Sequence, residues 1–230
     1  MAGDRFAFDN RVAAKYNQQR RHPVAVSEQV GAAIAAQAGA GARVLEIGIG
    51  TGRIAWPVVD AGCQVVGFDL SPNMLHEITS ERDDPAGLAV MQADMHQLPF
   101  PDNHFDAVLA VHVLHLANDW QQVLREVARV LRPGGAFIQG DDWMDPNSVI
   151  GALRDELRAH IMRIAPQMRP PAAGISKQDF LASLGGTDVT ETVAAEWTGQ
   201  MSPNQRLEDY ENRIDAESWI LPPALFDPSL

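Results

Sequence analysis

The stretch Val44-Leu45-Glu46-Ile47-Gly48-Ile49-Gly50-Thr51-Gly52 decides how this chain folds. A short apolar run is followed by three glycines at alternate positions, with an acid two places before the first of them. Such a pattern predicts a buried strand, a tight turn and the start of a helix. Alternate residues without Cβ atoms let the backbone bend sharply and come close to a ligand, with N–H groups facing it at a helix N-terminus. A nucleotide-like cofactor is the expected occupant. The dinucleotide fingerprint needs its last glycine where this chain has Arg53, and a carboxylate at Glu46 has no evident use in hydride transfer. Both departures weigh against a nicotinamide-dependent oxidoreductase.

Two further acids fall at strand ends. Gln64–Asp69 is a β-branched run closed by an acid and followed by Ser71-Pro72, which predicts a strand and then a helix cap. Asp69 stands about 20 residues past the glycines, where α/β nucleotide folds hold ribose hydroxyls. Leu88–Ala93 leads to Asp94-Met95, an acid that can accept from an exocyclic amine beside a polarizable side chain that can lie on a purine face.

In register, Glu46-x-Gly48-x-Gly50-x-Gly52, Asp69 and Asp94-Met95 resemble the motifs of the class I S-adenosylmethionine-dependent methyltransferases. Leu98-Pro99-Phe100-Pro101-Asp102 through Asp106-Ala107-Val108, and Val123–Leu131 with Arg132-Pro133-Gly134-Gly135, are similar to the ubiquinone-biosynthesis-type branch. The resemblance covers roughly residues 40–145. It implies S-adenosylmethionine as donor and S-adenosylhomocysteine as product, and it adds Leu70 and Val111 to the cofactor set. In this branch a segment before the first helix lids the cofactor, so Tyr16 is expected near the donor's methionine end and Arg20 on a carboxylate.

The expected architecture is α/β: a Rossmann-like, doubly wound, mostly parallel sheet with helices on both faces. Strands are expected near 43–48, 64–69, 88–93, 105–112 and 135–141, with helices over Ser27–Gln37 and 119–131. Residues 1–42 read as an N-terminal helical lid, 43–145 as the cofactor-binding core, and 146–230 as C-terminal helices and an edge strand completing one domain and the acceptor pocket. Within that last part Arg169–Gly174 reads as a linker, Ser176–Leu184 and Asn204–Ile220 as helices, and the alternation of Asp188–Val193 as the edge strand. After Pro222-Pro223 the tail is short and polar-punctuated. The sheet is therefore expected to lack the antiparallel seventh strand of the family or to close its edge differently.

A formal charge of −12 disfavours a nucleic-acid partner. No membrane span, no signal-type apolar core and a lone Cys63 lead to a cytoplasmic expectation, with Cys63 read as a small residue entering a buried strand. The end of the fourth strand reads Val111-His112-Val113-Leu114, not the Asp/Asn-Pro-Pro-Tyr/Phe that base-amino methyltransferases resemble. A small-molecule acceptor methylated at oxygen or carbon is expected, with His112 and His115 as general-base candidates. Asp141, Asp142, Trp143 and Trp120 can border an aromatic acceptor pocket, or the two tryptophans can serve packing; no metal is expected. A non-catalytic binder of the same cofactor, acting as scaffold or sensor, is the alternative from another functional class. Oligomeric state is left open.

Overall fold

The structure is a computed structural model and describes residues 16, 20–81, 86–164 and 178–211. The chain divides into two compact units. One comprises residues 8–141 and 176–197, and the other residues 1–7, 142–175 and 198–230.

The larger unit is built on five strands: β1 (Arg43–Ile47), β2 (Gln64–Asp69), β3 (Leu88–Gln92), β4 (Phe105–Val111) and β5 (Leu131–Gly140). Their order is β3-β2-β1-β4-β5, and every pairing is parallel. The direction of winding reverses between β1 and β4, and open α/β sheets bind ligands outside the carboxyl ends of strands at such a reversal. All five strands lie where the sequence pattern puts them. β5 starts earlier than expected, at Leu131 opposite Phe105, and regular pairing resumes at Ala136 opposite Ala107 across the Arg132–Gly135 turn.

Burial follows from the central position of β1, whose Val44, Leu45 and Ile47 have no exposed surface. Successive side chains point to opposite faces. Val44, Val65, Ala107 and Leu109 pack with α1 (Val24–Ala38) and α2 (Ala55–Asp60), whereas Leu45, Ile47, Phe68 and Val108 pack with α4 (Trp120–Val130). Cys63 is buried in the first of these clusters. The apolar stripe on α4, Val123, Val127 and Val130, is core packing as expected, and Asp119 caps the helix by accepting the Gln122 N–H at 2.9 Å. Ser71 does the same before α3 (Pro72–Glu81), its hydroxyl accepting the Met74 N–H at 3.4 Å.

α1 begins at Val24, directly after Pro23, three residues earlier than the small-residue run suggested. It crosses α2 so closely at Gly31 that a Cβ there would fall on the Pro57 carbonyl.

The smaller unit contains α5 (Val149–Ile164) and α7 (Pro203–Glu211). α6 (Gln178–Ser183) belongs to the larger unit, where Phe180 and Leu181 pack on the α4 side of the sheet. Two expectations need correction. Asp188–Val193 forms no strand: Asp188 takes a left-handed φ of 54°, and Val189 and Val193 are 67% and 75% exposed, so the alternation meets no partner strand or core face. Trp143 is 80% exposed and fills no core, whereas Trp120 packs edge-on against Phe180 at 5.3 Å and anchors the start of α4. The linker at 169–174, the end of the Asn204–Ile220 helix and the tail after Pro222 lie outside the described residues.

The apolar connection between β3 and β4 is held by a single guanidinium. Arg129 donates to the carbonyls of Leu98 (3.0 Å) and Phe100 (2.7 Å), to both carboxylate oxygens of Glu126 (2.8 and 2.7 Å) and to Asp102 (2.9 Å). Glu126 in turn accepts the Leu98 N–H at 2.8 Å, and Arg129 holds its carboxyl below the usual carboxylate range. A lysine cannot reproduce this planar fork. Arg129→Lys is therefore expected to lower unfolding stability by about 2 kcal/mol, because carbonyls lose their donors; urea denaturation measures it, and an unchanged midpoint would refute the strap.

Candidate functional site

β1 delivers a carboxylate to the sheet's reversal point. Glu46 shares the α1/α2 face with Val44, is 3% exposed, and has a buried Oε2 with no hydrogen-bond partner among the described residues. Burial pushes its pKa up to about 8, against the opposing pull of Arg53 and with a smaller push from Asp69. A buried acceptor left unmatched costs free energy, and in a native fold such a group calls for an explanation.

Beyond Glu46 the backbone turns through three glycines with φ of 65° (Gly48), 57° (Gly50) and 80° (Gly52). At Gly48 and Gly52 the requirement is also steric, since Cβ atoms there would strike Val113 and Ile78. The turn is braced from β2. Asp69 accepts the Gly50 N–H at 3.0 Å through one carboxylate oxygen and the Ser71 N–H at 2.8 Å through the other. Its pKa is nonetheless raised, because burial outweighs these bonds. Each oxygen keeps acceptor capacity, so bracing the loop and receiving a ribose hydroxyl are compatible.

These elements enclose a cavity lined by Tyr16, Glu46, Gly48, Gly50, Arg53 and Val111, with Ile49 and Ile54 beside them. Five of the expected cofactor residues thus line one space: Tyr16, Glu46, Gly48, Gly50 and Val111. Gly52 stands behind the turn against Ile78 and Trp56. Arg20 is exposed and outside that lining. The cavity's cation is Arg53, which displaces a dinucleotide glycine and, opening the helix after the glycines, is also readable in the sequence as able to reach an anion. Its Nη1 lies 2.7 Å from His22 Nε2, and the buried His22 ring packs edge-on to Trp197 at 4.8 Å. No sequence signal connects these three residues, which meet only through the fold.

The remaining expected residues sit outside the cavity lining. Leu70, after β2, is 67% exposed and leaves an apolar surface beside Asp69. Asp94 and Met95 follow β3, with Asp94 exposed and Met95 half-buried against the core. His112 follows β4 with a left-handed φ of 50°. A non-glycine residue held there stores roughly 1–3 kcal/mol, and such strain gathers at functional positions. Its Nδ1 lies 3.5 Å from Asp141 Oδ1 at the end of β5, and its N–H bonds the Gly140 carbonyl at 3.2 Å. His115 lies in the short 3₁₀ turn Leu114–Leu116. No cluster of three or more metal-ligating side chains occurs among the described residues.

The site fits the donor implied by the sequence on three observations: a buried carboxylate oxygen with no partner among the described residues, an arginine lining the same space, and a left-handed glycine turn that lines it. A cationic ammonium or sulfonium suits the first, and a carboxylate suits the second.

Comparison with known proteins agrees with this geometry. Residues 45–139 match the family described as a methyltransferase domain. A demethylmenaquinone methyltransferase of Renibacterium salmoninarum is 33% identical over 168 residues, spanning 69% of this chain and 65% of that protein. A fatty-acid O-methyltransferase of Mycolicibacterium smegmatis is 43% identical over 103 residues, 44% of this chain and 37% of the other. The chain spans 56% of an uncharacterised Mycobacterium tuberculosis protein, Rv1405c, at 31% identity. In fold it resembles an S-adenosyl-L-methionine-dependent methyltransferase structure from Methanococcus maripaludis, with a TM-score of 0.56 at 20% identity, covering 72% of this chain and 76% of that one. The glycine turn, the strand-end acids, the 3-2-1-4-5 sheet and the family match converge: residues 45–139 form a class I S-adenosylmethionine-dependent methyltransferase domain.

Proposed function

We propose that this protein transfers the methyl group of S-adenosylmethionine to a small-molecule acceptor at oxygen or carbon. The carrying observation is the buried carboxylate oxygen of Glu46, without a partner among the described residues, in a cavity that Arg53 and the glycine turn also line. The bound donor supplies an already activated methyl group, so the protein's task is alignment more than bond activation. Glu46 receives the ammonium end of the donor, Arg53 its carboxylate, and Tyr16 closes the space above them. Asp69 accepts from the ribose while bracing Gly50, and Asp94 and Met95 take the adenine. Relatives whose names specify a fatty acid or a demethylmenaquinone as acceptor support a small acceptor here.

His112 is the favoured general base among the two histidines, since its strained backbone fixes the ring at the carboxyl end of β4 and Asp141 lies beside it. An imidazole there accepts the acceptor's proton as the methyl arrives.

Three outcomes test this reading. Calorimetric titration with S-adenosylhomocysteine should show Asp69→Ala binding roughly 1–3 kcal/mol more weakly than wild type; equal affinity would remove Asp69 from the site. His112→Asn tolerates the left-handed backbone. It should keep donor affinity while slowing single-turnover methylation, once an acceptor is found by screening, by roughly 100-fold; a wild-type rate would discard the base assignment.

Glu46 provides the third. The folded protein holds its proton up to about 8, whereas the unfolded chain releases it near 4.5. The folded state therefore binds more protons in that window, and stability falls as pH rises through it, by at most about 1.4 kcal/mol per pH unit. Glu46→Gln should flatten this loss in thermal melts. Because a cationic donor selects the carboxylate, wild-type affinity for S-adenosylmethionine should rise toward pH 8 and then level, a trend the glutamine lacks.

A further inference from the structure

The adenine acid is oriented by its neighbour in a way that no motif specifies. Asp94 Oδ1 accepts two hydrogen bonds from one residue: the His96 N–H at 2.9 Å and His96 Nδ1 at 2.7 Å. On the far side of the same ring, Nε2 lies 3.4 Å from the Asp119 N–H, at the cap of α4. A neutral imidazole protonated on Nδ1 satisfies both contacts at once, donating to the carboxylate and accepting from the cap. The His96 carbonyl is tied to the same helix by Gln122 Nε2 at 3.3 Å. Asp94 is thus clamped between the end of β3 and the start of α4, with Oδ1 saturated from one residue. Among the described residues Oδ2 has no hydrogen-bond partner, on a side chain 59% exposed. An exocyclic amine is a donor matched to that oxygen, and a 6-oxo group is an acceptor that it repels.

We propose that His96 is a positioning residue for base specificity: by fixing the Asp94 carboxylate it presents Oδ2 to the 6-amino group of the donor's purine, so that the enzyme selects adenine over hypoxanthine. This rests on the donor-site reading above and concerns which purine that site accepts. A loosely held carboxylate rotates and meets either base through water, whereas a fixed acceptor discriminates by leaving a mismatched partner unpaired. Asp119 and Gln122 act at one remove, holding the ring that holds the acid.

The test is calorimetric titration of the full chain with S-adenosylhomocysteine and S-inosylhomocysteine. Wild type should prefer the adenine compound, and His96→Ala should reduce that preference roughly tenfold by weakening adenine binding while leaving hypoxanthine binding unchanged. His96→Asn, whose amide can replace Nδ1 as donor, should restore most of the preference. A purely structural role would weaken both ligands equally and leave the ratio intact, which would overturn the proposal. Asp94→Ala separates the two readings. If it abolishes the preference and His96→Ala does not, the positioning role fails alone; if it leaves the preference intact, or wild type binds neither compound, the adenine assignment of Asp94 fails with it.

Discussion

A carboxylate enclosed by hydrocarbon sets the terms for this fold. Glu46 occupies a strand position where the same sheet face otherwise carries Val44, Ala107 and Leu109, and a balancing charge comes from Arg53, directly after the last glycine. Removing a carboxylate from water without a full set of partners is unfavourable, and folded proteins meet the cost by neutralising the group or pairing it. Here burial favours the protonated form, with a pKa of about 8. The left-handed glycines follow from the same requirement, because only a turn that tight can carry the chain from β1 into α2 while leaving space beside the carboxylate. Asp69 braces that turn by accepting the Gly50 N–H.

How much of this was readable in advance depends on whether the determinants are local. β-branched runs, alternate glycines and acids at strand ends are local, and the five strands, the capped helices and the cavity residues Glu46, Gly48, Gly50 and Val111 follow them. His22, Arg53 and Trp197 were not legible as a group, since their meeting depends on how the segment before α1 and the one after α6 settle on the same region. His96 carried a weak signal, lying two residues from an acid able to form a local turn, but its reach to Asp119 needs the β3–β4 connection to fold back onto α4.

Asp188–Val193 shows the opposite failure. Its alternation is as regular as that of a true edge strand, yet alternation describes only a side-chain pattern and cannot supply a neighbouring backbone. Exposed tryptophan at 143 makes the same point for single residues: hydrophobic bulk predicts burial on average and says nothing about a given position.

The contact between His22 and Trp197 has a consequence for how the molecule assembles. The sheet and its glycine turn lie within the middle of the chain, and each strand pairs with neighbours delivered by crossovers of moderate length. The contact beside Arg53 is different, because His22 and Trp197 lie far apart in the sequence. Closing so long a loop is entropically expensive and comes late in folding. Contacts of such long sequence separation open at lower free-energy cost than a buried sheet. The His22–Trp197 contact can therefore part without disturbing the strand that holds Glu46.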